Sequence, residues 1–313
     1  MKILVTGGAG FIGSYLIDRL IDQNHEVICL DNFSSGRHEF ISQALERGLK
    51  LVEGDLLCPN DIRKAIMGCD MVYHLAANPD VRLGIDNTNI HLDQNVLATY
   101  YLLEEMRHQG IGTIGFTSSS TVYGDAEEIP TGESYGPLLP LSLYGASKLA
   151  AEALVAAYCH TFDKTAAIYR FANVVGPRST HGVTFDFINK LRGNPDELEI
   201  LGDGMQKKSY LYIEDCIDAM LYAMKHCQDK VKLFNIGSED WVDVRTIADI
   251  VSDEMSLSPS YSFTGGIDGG RGWKGDVKTM RLAIDKLKQM GWKPRYYSAD
   301  AIRLTARWLI ENQ

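Results

Sequence analysis

The sequence predicts an α/β chain: a doubly wound parallel sheet with a smaller C-terminal substrate domain. Three observations carry this prediction. The first 120 residues alternate strand-like and helix-like patterns, a glycine-rich turn closes the first strand and opens the first helix, and after about residue 172 the elements shorten and glycine and proline become denser. Strands separated by helices build parallel sheets, because a parallel neighbour is reached only through a crossover.

Taken in order, Lys2–Thr6 is a short β-rich run. Residues 12–23 carry apolar side chains at Ile12, Tyr15, Leu16, Leu20 and Ile21, a helical period. Residues 26–30 are a second strand, ending on Asp31 and a polar loop through Ser34, Ser35 and Gly36. Residues 50–52 are a third, followed by Gly54 and Asp55. Residues 61–67 read as a helix, 71–75 as a fourth strand, 89–108 as a long helix and 112–117 as a fifth strand. Right-handed crossovers place ligand sites at the strand C-termini. Beyond residue 172, Gly176-Pro177-Arg178 and Gly202-Asp203-Gly204 mark loops. The expected division is a Rossmann domain over 1–172, with returning segments near 211–237, and a smaller domain over 173–313. A cleft is expected between them.

The chain has 313 residues, 45% hydrophobic and 23% charged, enough apolar material for a core and against extended disorder. Its net charge of −10, with no basic run, argues against sequence-independent nucleic-acid binding. The six cysteines, at 29, 58, 69, 159, 216 and 227, form no CxxC pair and no cluster with histidines. That pattern reads as buried thiols in a reducing compartment, with no metal site. The apolar run Ile3-Leu4-Val5 stops at Thr6, too short for a signal peptide, and no run of ~18 apolar residues exists. A cytoplasmic protein without membrane partners is expected.

The first strand runs into Thr6-Gly7-Gly8-Ala9-Gly10-Phe11-Ile12-Gly13. Both Gly8-x-Gly10-x-x-Gly13 and Gly7-x-x-Gly10-x-x-Gly13 fit a dinucleotide-binding turn. A pyrophosphate there meets backbone N–H groups at a helix N-terminus, and a Cβ would block its approach. No Gly-Lys-Ser/Thr follows, which excludes a P-loop. Asp31 ends the second strand 18 residues after Gly13. A carboxylate there accepts from an adenosine ribose and repels a 2′-phosphate, favouring NAD over NADP. Arg37 is a solvated loop charge or a phosphate contact. Asp55 either meets an adenine or caps the next helix turn. Asn95 reads, by pattern alone, as a solvent-facing or packed amide.

Tyr144-Gly145-Ala146-Ser147-Lys148 starts a helix continuing through Ala150, Glu152, Leu154 and Tyr158. Tyr144 and Lys148, at i and i+4, share a face. An ammonium ~5–6 Å from a phenol contributes roughly 3 kcal/mol at an effective dielectric of ~20. That is enough to bring a phenol of ordinary pKa ~10 towards neutrality, as a proton acceptor for a substrate hydroxyl. The hydroxyl run Thr117-Ser118-Ser119-Ser120-Thr121 ends the fifth strand. It is a Ser-rich turn, or it holds a hydroxyl that shares the substrate proton with Tyr144.

With these residues in place, the chain resembles the extended short-chain dehydrogenase/reductase family, and within it the UDP-glucose (UDP-galactose) 4-epimerases. The resemblance implies NAD held by Gly7, Gly10, Phe11, Ile12, Gly13, Asp31, Asn32, Ser34, Ser35, Gly36, Asp55, Leu56, Leu75, Ala76, Ala77, Asn95, Thr117 and Ala172. It implies a catalytic trio of Ser119, Tyr144 and Lys148, with Tyr144 and Lys148 also on the cofactor. Ser119, Tyr144, Asn173, Val183, Leu201, Lys208, Arg271 and Asp276 are implied on the UDP-sugar. The implied reaction removes hydride and proton at C4, turns the 4-keto sugar, and returns hydride to its other face. Lys208 stands where the family often has Arg, two extra residues separate Arg271 from Asp276, and Ala172 stands where some relatives have an aromatic. β-Elimination needs an acid and a base, and Ser120-Thr121-Val122-Tyr123-Gly124 holds no carboxylate, which argues against a dehydratase. Met280 lines the hexose pocket or packs in the core. Residues 89–108 and 144–161, with Val96, Tyr100, Leu103, Leu154 and Tyr158, are expected to pair two copies through four helices. The competing readings are an epimerase of a UDP-uronic acid or UDP-N-acetylhexosamine, and a dinucleotide sensor without turnover.

Overall fold

The computed structural model describes residues 1–226 and 228–312; Cys227, counted among the six cysteines, and Gln313 lie outside the described residues. Strands β1 to β7 are Lys2–Thr6, Glu26–Asp31, Lys50–Glu53, Met71–His74, Thr113–Ser119, Thr165–Phe171 and Asn173–Val175. Strands β8 to β14 are Glu197–Ile200, Lys207–Lys208, Tyr210–Tyr212, Val231–Ile236, Val242–Asp243, Ser260–Phe263 and Thr279–Met280. Helices α1 to α6 are Phe11–Asp22, His38–Glu46, Pro59–Ile66, Leu83–Asp86, Ala98–His108 and Leu143–Thr161. Helices α7 to α11 are Val183–Gly193, Ile213–Lys225, Val244–Glu254, Asp285–Gln289 and Ser298–Asn312.

The chain divides into two compact units. Unit 1 is Met1–Val122, Leu143–Arg170 and Met220–Phe234; unit 2 is Tyr123–Ser142, Phe171–Ala219 and Asn235–Gln313. Residues 123–142, expected in the first domain, fall in unit 2. Their polar groups explain why: the Thr131 N–H donates to Arg281 O and Thr131 O accepts from the Ala283 N–H, both at 2.9 Å. Tyr123 donates to Asn235 Oδ1 at 2.7 Å. These are partners distant in sequence, so no local pattern reveals them.

In unit 1 a seven-stranded sheet has the order β11-β6-β5-β4-β1-β2-β3 among the described residues. β1 pairs in parallel with β2 and β4, β2 with β3, and β4 with β5. Strand order reverses about β1, which opens a crevice at the C-terminal ends of β1 and β4. Ile3, Leu4 and Val5 are at most 1% exposed, the apolar run expected of a strand covered on both faces. The expected long helix over 89–108 is two elements, a π-helical turn at Leu92–Leu97 and then α5. In unit 2, α7 and β8 pack Phe187, Ile188, Leu191 and Leu198 against Ile247 and Val251 of α9 and Ile302 and Leu309 of α11. Met280, on β14, is buried. No helix among the described residues is long and apolar enough to cross a membrane.

Candidate active site

The glycine turn after β1 is shaped by what cannot fit there. Gly7 has φ +68°, and a Cβ on it would lie 2.6 Å from the Ala76 N. A Cβ on Gly13 would lie 2.2 Å from Gly7 O. Helix α1 starts at Gly10 with no side-chain cap and no acidic residue in its first turn. Phe11, Ile12 and Gly13 thus begin a helix whose first-turn amides form a cradle for an anion. Leu75, Ala76 and Ala77 follow β4 on its rim, with the Leu75 N–H on Thr6 O at 3.1 Å.

Asp31, at the end of β2, is 8% exposed. It accepts from the Ala9 N–H and the Phe33 N–H, each at 2.9 Å, one on each oxygen. Burial pushes its carboxyl up from the ordinary range, against both backbone hydrogen bonds. A Cβ on Gly36 would come within 2.9 Å of the same carboxylate. Asn32 accepts from the Ser34 N–H at 3.0 Å and donates to Asp55 at 3.0 Å. The other Asp55 oxygen takes the Leu57 N–H at 2.8 Å. Of the two readings of Asp55, the local turn is the one its hydrogen bonds realise. Leu56 is buried beside it. The turn, the uncapped helix and the buried carboxylate fit a dinucleotide.

Ser119 ends β5, and Tyr144 and Lys148 lie on the first turns of α6. Ser119 Oγ accepts from the Thr121 N–H at 3.2 Å and from the Thr121 hydroxyl at 3.0 Å. With both lone pairs engaged, its own proton is left for its hydrogen bond to Tyr144. Lys148 is 4% exposed. Its Nζ donates to Thr117 O at 2.9 Å and lies 5.2 Å from the Phe116 ring centroid. Desolvation pushes Tyr144 up to about 12, while the Ser119 hydrogen bond acts downward. The expected lowering of the phenol by Lys148 is therefore corrected: burial wins. The same burial pushes Lys148 itself down to about 8.

A buried hydrogen-bond chain, absent from the sequence reading, ties this trio to the glycine turn. Thr99 donates to Asn95 O at 2.6 Å, so it accepts from His74 Nε2 at 2.9 Å, and His74 Nδ1 accepts from Thr6 at 2.7 Å. That arrangement needs one neutral tautomer, and burial, helped by the Lys148 charge, lowers His74 to about 3. Asn95, 2% exposed, lies in the π-helical turn. It accepts from the Asn78 N–H at 2.8 Å and donates to Ser147 Oγ at 2.9 Å; Ser147 donates to Tyr144 O at 2.7 Å. Asn95 is thus a packed amide spent on protein partners.

Of the expected UDP-sugar residues, Ser119 and Tyr144 lie in unit 1 and the others in unit 2, as does Ala172, which is buried. Lys208 Nζ donates to Asp276 Oδ1 at 2.6 Å and sits 5.2 Å from the Trp273 ring centroid. Arg271 forks onto Asp125 at 3.1 and 2.6 Å. Gln206 Nε2 donates to Leu201 O at 3.0 Å, and a Cβ on Gly272 would touch Asp276, Gln206 and Leu201. These residues form one cluster. Val183 packs on the unit 2 core instead. Asn173 Nδ2 is buried with no hydrogen-bond partner. Sequence reasoning missed Gln206, Trp273 and Asp125 in this cluster; Asp125 is 146 positions from Arg271.

Residues 3–237 match the family model described as the NAD dependent epimerase/dehydratase family. A UDP-glucose 4-epimerase of Mycolicibacterium smegmatis is 30% identical, with 98% of each chain covered. A solved UDP-galactose 4-epimerase is 43% identical, with 99% of each chain covered and a TM-score of 0.89. A solved UDP-glucose 4-epimerase of Thermus thermophilus, in complex with NAD, is 27% identical, with 100% of each covered and a TM-score of 0.88. This chain belongs to the NAD dependent epimerase/dehydratase family, as an NAD-dependent nucleotide-sugar epimerase.

Proposed function

We propose that the enzyme inverts C4 of a UDP-hexose, interconverting UDP-glucose and UDP-galactose through a 4-keto sugar. The observation that carries this reading is the Ser119 hydroxyl, oriented by Thr121 and aimed at Tyr144, in a run from Ser120 to Gly124 without a carboxylate. Tyr144 takes the C4 hydroxyl proton and later returns it. Ser119 stabilises the phenolate by donating to it, and the Lys148 ammonium favours the same form, both against burial. NAD, which the Gly7–Gly13 turn and Asp31 would hold, would supply the hydride acceptor and donor for C4. The orphaned Asn173 Nδ2 and the Lys208–Asp276–Arg271 cluster support a nucleotide-sugar diphosphate as the anchored part.

The test is a panel of UDP-galactose, UDP-glucuronic acid and UDP-N-acetylgalactosamine on purified protein. Inversion of UDP-galactose above the others is expected; a stronger response to either of the others moves the assignment to that sugar. The protein is also expected to release NAD when denatured, and release of NADP alone would overturn the Asp31 argument. A homodimer through α5 and α6 completes the proposal. Tyr100 supports it at 39% exposed, whereas Leu103 is fully buried and Leu154 and Tyr158 pack on the unit 1 core. Light scattering showing a monomer would remove it.

A further inference from the structure

Helix α6 carries a second charged position behind the trio. Tyr144, Lys148 and Glu152 follow one another at i+4, and Lys148, Ala151, Glu152, Val155 and Cys159 form its buried stripe. Glu152 and Arg170 are 6% and 4% exposed. Arg170 Nε and Nη2 donate to the two Glu152 oxygens at 2.9 and 2.6 Å, a full fork. Such a pair is costly to bury and contributes little net stability, so its presence one turn from Lys148 asks for another reason.

We propose that Glu152, held by Arg170, is a positioning residue that keeps the buried Lys148 ammonium charged beside Tyr144. The proposal rests on the reading of Tyr144 and Lys148 as the acid–base pair.

Among the described residues, Glu152 is the carboxylate whose charge acts on Lys148. From β5 come the Phe116 ring and the Thr117 carbonyl, both uncharged. From β4 comes His74, and from just before the π-helical turn His91; burial lowers both first and the Lys148 charge acts the same way, while Asp80 acts upward on His91. Burial holds the Tyr144 phenol above its ordinary value, which favours its neutral form. Arg170, on β6, is forked onto Glu152. A buried ammonium bonded to a neutral carbonyl is prone to lose its proton. Burial does push Lys148 down to about 8, and Glu152 acts against it. Without Glu152 the amine would lose its proton more readily and would favour the phenolate less.

The direct readout is the pH at which the Lys148 Nζ resonance titrates in lysine-labelled protein, identified by its loss in Lys148→Arg. Removing a negative charge beside an ammonium makes it easier to deprotonate. Glu152→Gln is expected to lower that midpoint by about one pH unit, the scale of one partly offset charge one helical turn away. The alkaline limb of kcat should move down with it, whereas a structural lesion would scale the profile without moving it. Glu152→Asp, which keeps the charge, should restore the wild-type profile. If Arg170 left alone prevents folding, Glu152→Met with Arg170→Met removes both charges at similar volume and should shift the midpoint in the same direction. An unmoved Lys148 titration in the folded variant overturns the proposal. Normal turnover by Tyr144→Phe would instead overturn the acid–base reading, so the two failures are distinguishable.

Discussion

The two units prepare for their ligands in opposite ways. In unit 1 the cradle is built before anything binds. Gly7 and Gly13 clear the space, α1 leaves its first turn uncapped, and a chain from Thr6 through His74, Thr99, Asn95 and Ser147 fixes Tyr144. In unit 2 the charges implied on the nucleotide, and others near them in sequence, are already paired within the protein. Arg271 is taken by Asp125, Asp276 by Lys208, and Lys278 by Asp203 at 2.6 Å. A neutral, saturated scaffold gains nothing by moving. A set of ion pairs exchanges partners when an anion arrives, and each exchange costs part of the binding energy. Under the proposed function, this suits a cycle in which the cofactor stays while nucleotide sugars come and go.

The widest gap between the units should appear in kcat. Tyr144→Phe removes the proton acceptor and nothing from the cradle. It should keep its NAD and lose at least ~10²-fold in turnover, the low end for a general acid–base group. Turnover near normal in protein that still holds NAD would remove unit 1 as the seat of the chemistry.

On the unit 2 side, Arg271→Ala should raise KM for the UDP-sugar by ~10–100-fold with a smaller change in kcat, the scale of charge-assisted hydrogen bonds to a diphosphate. A fall in kcat at unchanged KM would place Arg271 with the chemistry and undo the contrast. Asp125→Asn sharpens the point. It leaves Arg271 in place but weakens its competitor, so KM should fall by a few-fold, and the gain should shrink as salt rises. A higher KM would mean that Asp125 orients Arg271 rather than competes with ligand.

How much of each region can be read from sequence follows the same division. The glycine turn, Asp31 and the Tyr144–Lys148 spacing are local backbone facts, written within a strand, a turn or two helical turns. The Glu152–Arg170 fork, the Thr131–Ala283 pairing and the Arg271–Asp125 pair join residues far apart in the chain, so no window contains them. The direction of the Tyr144 shift was unreadable for another reason. Coulomb attraction from Lys148 can be sketched from helical spacing, but desolvation depends on what covers the phenol, which only the folded packing supplies. The π-helical turn at Leu92–Leu97 likewise looks helical in its pattern. Its extra residue per turn is a register change that periodicity does not resolve.

The smallest expected effect tests how finely unit 1 is preset. Thr121→Val keeps the volume and removes the hydroxyl donor at 3.0 Å from Ser119 Oγ, while the Thr121 N–H at 3.2 Å remains. Ser119 then has a free lone pair and a second orientation open to its proton, pointing away from Tyr144. A neutral hydrogen bond of about 0.5–1.5 kcal/mol corresponds to ~2–10-fold, and the retained backbone donor keeps the loss near the lower end. Turnover of UDP-galactose should fall about 2- to 4-fold with KM unchanged. Ser119→Ala should cost more than Thr121→Val and less than Tyr144→Phe, because the phenol still accepts the proton without its donor. If Thr121→Val equals Ser119→Ala, orientation of the Ser119 proton is its whole contribution. If Thr121→Val costs nothing, the backbone N–H alone holds Ser119, and the hydroxyl run is a turn with one working member.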